Sequence, residues 1–437
     1  MKAYILPSNV VISPFNEAVA ETLVVFERLC DIQDAVLRDR GLEPVRVASA
    51  AEITDGEYFL TYDNVYVTRR AFRDFYKKAL KSGRSAQMAL PDCGFIKRYS
   101  ALQDIQAKKD ASGNTAHCFN IWYVKTETDV GARHALPVGA ESAVPLVIKL
   151  KEISWQQNVP PNMFKKRTLD IPITTSVAFH ITHWVPLLWA NQVGILVRWV
   201  EQITGHPLWT AWKLLKALIF YVASGLVQLG RLESVTSALG WPAIKLALFR
   251  SFNKVGKNCE IHPDAIIQFC IIGDNVKVGP QCYLFGSILD DGVIMEEKTK
   301  VTLTSLGHGC YVSQLTVLNG VAAYPDGDVC IDGMQFCMSG RNVKLTGLAR
   351  PLDIRTDGPI KVMFNGKAVA IGQEILGSCF GHGCFIGPDV YIASGREIPS
   401  GAVIIQPPGH ILFKIPPDIE PGVPMVIDKG TLKKFNM

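Results

Sequence analysis

The chain of 437 residues contains no CxxC pair, no zinc-finger spacing and no Lys/Arg block of the kind that neutralises a run of nucleic-acid phosphates. Its eleven cysteines are scattered and odd in number, which fits reduced thiols better than a disulfide frame and points to the cytosol. The formal charge is only +5, and no basic run could neutralise a stretch of phosphates, so nucleic acid is not expected as a partner. No segment cleanly supplies the ~20 uninterrupted apolar residues needed to cross a bilayer. The opening MKAYILPSNVVIS has one Lys, an apolar run broken by Pro7 and Asn9, and no small-residue cleavage site. It reads as a first β-strand and not as a signal peptide. Charged residues are scarce at 19%, whereas 48% are apolar, which describes an ordered chain with a large core or a membrane face. The length exceeds what one core supports, so two or three units are expected.

What is present is a repeat. Ile272, Val278 and Leu284 lie six apart, as do Leu306, Val312 and Leu318, each followed by Gly, Ser, Asn or another small or turn-forming residue in most cases. Phe380, Ile386, Ile392, Ile398 and Ile404 keep the period without a slip. Six suits neither the 3.6 of a helix nor the alternation of a strand. It suits a triangular coil in which each short strand and corner takes one hexapeptide, the aliphatic pointing inward. These residues resemble the hexapeptide-repeat acyltransferases and the bacterial sugar-nucleotide enzymes that carry such a tail. The resemblance implies a left-handed parallel β-helix over residues 253–410, with a tail at 411–437, and a homotrimer with active sites between neighbouring prisms. The register breaks over 323–370, which reads as an insertion containing a hairpin at Asn365-Gly366. In the resembling family such an excursion can wall a substrate cleft; a tolerated surface insertion is the other reading.

Residues 1–170 alternate strand and helix: MKAYIL, then a largely helical Phe15–Arg40, EPVRVA, EYFLTYDNVYV and RRAFRDFYKKAL. This pattern predicts a parallel α/β sheet. The order resembles sugar-phosphate nucleotidyltransferases, and the resemblance places Asp63 where that family holds a metal-binding aspartate, with Mg²⁺ the implied ion. The family's first loop needs glycines, so that backbone N–H groups approach a triphosphate, and a cation to offset its charge. Here that loop is Pro7-Ser8-Asn9-Val10-Val11. A degenerate domain kept for shape or for binding another ligand is the reading that follows.

Between residues 171 and 252 lie six of the eight tryptophans, interleaved with Arg198, Lys213, Lys216, Lys245 and Arg250. This hydrophobic helical segment fits helices lying in a membrane interface, or else a unit packed on itself or between subunits. His180 and His183 stand three apart, but two ligands do not make a metal site.

The string Gly-His-Gly-Cys occurs twice, around His308 and His382, with each His just after a corner of the coil. Acyl transfer from a thioester needs a base of near-neutral pKa, which imidazole supplies. Both are therefore candidate catalytic residues, although a solvent-facing His at this position needs no function; Cys310 and Cys384 read as packing. The first expectation is an acyltransferase-like protein at the membrane surface, with acyl-CoA or acyl-carrier protein as donor and a lipid-linked or amphipathic acceptor. It would be cytoplasmic, attached to the inner face of the cell membrane. The alternatives are a non-catalytic trimeric scaffold with a pseudo-nucleotidyltransferase domain, and a working sugar-phosphate nucleotidyltransferase.

Overall fold

The computed structural model describes residues 1–125, 140, 143–158, 168–230, 241–330, 332–407, 409, 412, 415–416, 419 and 422–434. The amino-terminal domain is built on a sheet in which Val144–Val147, Ala86–Pro91, Thr115–Lys125, Glu57–Tyr62, Lys2–Leu6 and Glu43–Arg46 lie side by side in that order. The expected all-parallel sheet is corrected to a mixed one: Thr115–Lys125 runs antiparallel between two parallel blocks. It is delivered there by a hairpin from Gln106–Lys109 through the turn at Asp110. The helix Arg69–Ser82 forms as expected. Thr68 caps it by accepting from the Ala71 N–H, Gly83 closes it at φ 64°, and Ala71, Phe72, Phe75 and Ala79 form its buried stripe.

The long helix expected over Phe15–Arg40 shrinks to Leu29–Arg38. Residues before it form two small paired turns instead, with Val25 and Phe26 in the left-handed region. Tertiary partners decide this. The Tyr324 hydroxyl accepts from the Leu23 N–H at 2.7 Å, and Asn191 Oδ1 accepts from the Val25 N–H at 2.8 Å.

From Lys254 to Ile404 the chain winds a left-handed β-helix of three parallel sheets. Ile272, Val278, Leu284, Leu306, Val312, Phe380, Ile386, Ile392 and Ile398 all point into the prism, none more than 7% exposed. Most coils are 17 residues and not 18: Ile272 pairs with Leu289, Leu289 with Leu306, and Leu306 with Ala323. Two sides take six residues and the third takes five, so the hexapeptide grid slips once per turn there and runs clean only after Phe380. The same slip corrects the expected insertion. Asp328–Val329, Met338–Ser339, Lys344–Leu345 and Arg350–Pro351 continue the ladder, and the chain leaves it only between Pro351 and Cys379. Within that excursion the hairpin Lys361–Phe364 with Lys367–Ala370 turns through Asn365 and Gly366, both at positive φ, as the Asn-Gly pair requires.

One corner of the prism is unusual. Phe269, Gly286, Leu303, Gly320 and Phe336 stack there, all with φ between 48° and 64°. The glycines leave room for the large side chains: a Cβ on Gly286 would sit 3.0 Å from Leu303, and one on Gly320 2.8 Å from Phe336. The helix Trp184–Gly205 lies along this edge. Trp199 stacks on Phe269 at 4.2 Å and 23°, and Gln192 Nε2 donates to the Gly320 carbonyl at 3.2 Å. Gly194 on the same helix admits Val25, whose Cγ2 would be 2.6 Å from any Cβ there. Trp184, Trp189 and Trp199 are thus interior residues and not membrane-interface ones, which corrects that expectation for this helix. The next helix, Pro207–Gly230, packs against Trp241–Ser251 and leaves Trp212, Leu215, Ile219 and Val222 in one exposed stripe. Among the described residues no helix is long and apolar enough to cross a membrane.

Gly320→Ala should destabilise the protein by about 1–3 kcal/mol, since it combines a left-handed backbone with a collision against Phe336. Urea unfolding followed by tryptophan fluorescence measures this; a change under ~0.5 kcal/mol would contradict the corner packing.

Candidate functional site

The carboxyl ends of Lys2–Leu6 and Glu57–Tyr62 open into a polar cleft of about 610 Å³. A second space of about 770 Å³ shares Val10, Asp104 and Thr182 with it and is walled by Phe364, Asn365 and Val369 of the excursion hairpin. The excursion therefore does wall a cleft, but one that belongs to the amino-terminal domain. Such a crevice beyond the strand ends is where open α/β sheets usually bind ligands.

Several polar groups line it. Lys108 Nζ donates to Gln87 Oε1 at 2.8 Å, and Gln87 Nε2 donates in turn to the Phe119 carbonyl at 3.1 Å, filling the bulge in Thr115–Lys125. His180 is buried and bonded on both sides: Nδ1–H donates to the Asp104 carbonyl at 2.9 Å and Nε2 accepts from the Asn120 N–H at 2.9 Å. Burial lowers its pKa to about 4 against a smaller opposing effect of the Asp104 carbonyl, so the ring is neutral near pH 7. Asn64 is 6% exposed, yet its Oδ1 has no hydrogen-bond partner among the described residues. A buried acceptor left unpaired is costly, and its residue lines the cleft.

Asp63 sits beside this cleft, and its carboxylate accepts from the Ser8 N–H at 2.8 Å. Its own N–H donates to the Leu6 carbonyl at 2.9 Å. It latches the first loop to the end of the neighbouring strand. Among the described residues no group of three His, Cys, Asp or Glu side chains is arranged to hold a metal ion, whereas a Mg²⁺ site of the implied kind draws on one or two carboxylates together with water and substrate phosphate.

His308 and His382 occupy the same place in the coil, each second after a strand of one prism face. That corner carries a ladder in which the backbone N–H of one coil donates to the side chain of the next. Lys257 N–H donates to Asp274 Oδ1 and Asp274 N–H to Asp291 Oδ1, both at 2.7 Å. His382 serves the ladder as the aspartates do, its Nδ1 accepting from the Arg341 N–H at 2.8 Å. Its Nε2–H then faces Glu17 Oε1 at 3.1 Å, and its ring stacks on Phe15 at 5.1 Å. Both nitrogens are engaged, leaving none for a substrate. His308 is exposed and makes no side-chain hydrogen bond among the described residues. The structure does not bring the two together: they stand three coils apart, roughly 14 Å at the usual strand spacing. Cys310 and Cys384 are fully buried, and burial pushes the Cys310 thiol up to about 12.

Two carboxylates join the domains, and sequence reasoning missed both. Glu17 accepts from Arg341 and His382. Glu397 accepts from His183 Nε2 at 2.7 Å, Trp184 Nε1 at 3.1 Å and the Ser13 hydroxyl at 2.5 Å. His183 also caps the edge helix, its Nδ1 accepting from the Val185 N–H. It points away from His180, so the pair does not share a site. Burial pushes both carboxyls up, but the hydrogen bonds outweigh it and hold both below the ordinary range. Groups depressed in the folded state stabilise it fully above their unfolded pKa of ~4.3, and that contribution is lost as pH falls through the folded value. Hydrogen exchange of residues 12–18 should therefore accelerate between about pH 4.5 and 3, and Glu17→Gln with Glu397→Gln should flatten this dependence. Exchange equally pH-dependent in the double variant, after correction for intrinsic rates, would contradict the clamp.

Residues 254–286 match the family model described as bacterial transferase hexapeptide (six repeats). The match spans less than a tenth of the chain and coincides with the first coils of the β-helix. No curated protein matches the chain significantly.

Proposed function

We propose that this is a transferase-type hexapeptide-repeat protein whose amino-terminal domain binds a sugar-phosphate-sized polar ligand and performs no nucleotidyl transfer. The observation that carries the reading is Asn64, which lines the 610 Å³ cleft and whose buried amide oxygen has no partner among the described residues. That volume is ordinary for a small-molecule site, and such sites pair a shaped wall with a few placed polar groups. Lys108 supplies an ammonium, Asp104 and the amides suit hydroxyls, and the neutral His180 adds no charge. Against nucleotidyl transfer stand a first loop without glycine or cation and an Asp63 already engaged with Ser8.

Calorimetric titration with sugar 1-phosphates and nucleotide sugars tests this. Binding should be saturable, and Asn64→Ala should weaken it by about 10–100-fold. Asp63-dependent pyrophosphate release from a nucleoside triphosphate and a sugar 1-phosphate would refute the reading.

A second reading, acyl transfer at the prism, is favoured by His308. The amino-terminal domain covers this prism edge at Tyr324, Arg341 and His382, and stops short of the exposed His308. In a homotrimer a neighbouring prism could close a groove there around a donor such as acyl-CoA or acyl-carrier protein. On this reading His308→Ala lowers thioester consumption by ~10²–10⁴-fold, while His382→Ala acts through stability. Equal loss in both variants, at equal folded fraction, would count against it.

The stripe of Trp212, Leu215, Ile219 and Val222, with exposed Lys216 beside it, supports peripheral attachment to an anionic membrane face and an amphipathic acceptor. Lys213 is turned inward, donating to the Asn253 carbonyl at 2.6 Å. Co-sedimentation with anionic liposomes should fall on Lys216→Glu and on Trp212→Ser. Wild-type protein that ignores such liposomes would overturn this attachment.

A further inference from the structure

Between the edge helix and the prism lies a third cavity, of different chemistry from the polar cleft. Its volume is about 130 Å³, and its walls include Tyr99, Ile173, Trp189, Leu196, Leu303 and Leu376. An engineered apolar cavity of roughly 150 Å³ stays dry and takes a benzene-sized guest, so the space suits a group of about six to eight carbons. It runs along the helix from Leu188 to Leu196, a length of roughly 12 Å at 1.5 Å per residue, and it passes Phe336, Gly320 and Leu303 of the prism corner. A slot of that proportion accommodates a chain better than a ring.

Polar residues line it in two places, Gln192, Asn319 and Gln335 near the prism corner and Arg98 with Gln373 beside the excursion. Arg98 and Gln373 belong to the lining; the Arg98 side chain is 18% exposed, and its only close anionic neighbour among the described residues is the more exposed Glu374, at 3.4 Å. Gln373 Nε2 donates to the Arg98 carbonyl at 2.6 Å, which fixes the excursion against this part of the cavity. A guanidinium with a long, partly solvated ion pair can exchange that partner for a ligand anion.

We propose that this cavity binds a straight aliphatic chain of about six to eight carbons whose anionic head meets Arg98. The proposal is independent of what the polar cleft binds. It rests on the juxtaposition of an apolar slot, formed where two domains meet, with Arg98, the one cation among its described lining residues. Ligand sites favour such interdomain positions, lined mostly by apolar side chains with a few placed polar groups.

The test is titration of the full chain with octanoate, 1-octanol and butyrate, read by thermal midpoint and by the fluorescence of Trp189. Octanoate should bind saturably, raise the midpoint and change a signal that Trp189→Phe removes. Butyrate should bind roughly 100-fold more weakly, following the free-energy increment per buried methylene. Leu196→Trp and Ile173→Trp fill the slot from opposite walls, and each should abolish octanoate binding with the circular dichroism unchanged. Arg98→Gln should weaken octanoate about tenfold and leave 1-octanol unaffected. Absence of saturable octanoate binding overturns the proposal, as does binding undiminished in the folded filling variants, which would place the guest elsewhere, for example on the exposed stripe of Pro207–Gly230. If neither filling variant folds, the Trp189 signal decides: an octanoate response that persists in Trp189→Phe overturns it. Equal effects of Arg98→Gln on octanoate and 1-octanol overturn the assigned head.

Discussion

Trp199 lies flat on Phe269, and behind that contact stands a corner of the β-helix in which bulky residues occupy backbone positions that normally go to glycine. Phe269, Leu303 and Phe336 can project from this edge because Gly286 and Gly320 alternate with them and yield the space. The edge helix fits the resulting ridge and in turn carries Asn191 and Gly194, which hold Leu23, Val25 and hence the first turns of the amino-terminal domain. A prism corner thereby sets where the α/β domain sits. The apolar slot and the hairpin-walled space lie in the interface to which this contact contributes.

Two clamps secure the same arrangement at the far end of the prism. Glu17 with Arg341 and His382, and Glu397 with His183, Trp184 and Ser13, tie the loop after the first strand to the last coils. Desolvation offsets part of the attraction between partly buried charges, and the hydrogen bonds outweigh it for both carboxyls. The His382 imidazole belongs to this device. Its ring relays hydrogen bonds between the Arg341 N–H and Glu17, in the place that Asp274 and Asp291 take elsewhere on the ladder.

Much of the prism was legible because a period of six in aliphatic residues has one structural meaning, and Ile272 through Ile398 point inward as the repeat requires. The 17-residue coil is hidden, since a five-residue side looks like a lapse in the pattern, and Ala323 to Pro351 therefore reads as an insertion although it continues the ladder. The helix misplaced over Phe15–Arg40 has a different cause. Its apolar residues are spaced for docking on Tyr324 and the edge helix, and local periodicity carries no information on partners three hundred residues away. Burial of Trp184, Trp189 and Trp199 against the prism was likewise invisible, because an apolar helix next to lipid and one next to a protein corner have the same composition. Of the candidate site, Asp63 stands out in the sequence only by its likeness to a metal-binding aspartate and not by its bond to the first loop, and Asn64, Glu17 and Glu397 carry no signal beyond being polar. Their role comes wholly from what the fold sets against them.

The dependence of the two domains on one corner can be measured by a double-mutant cycle between Trp199 and Phe269, using Leu at each position and urea unfolding of the full chain. Direct packing predicts that the two single losses do not add, with a coupling of about 0.5–1.5 kcal/mol. Additivity within ~0.3 kcal/mol would contradict the account, since it would mean that the helix finds its place on the prism without this contact.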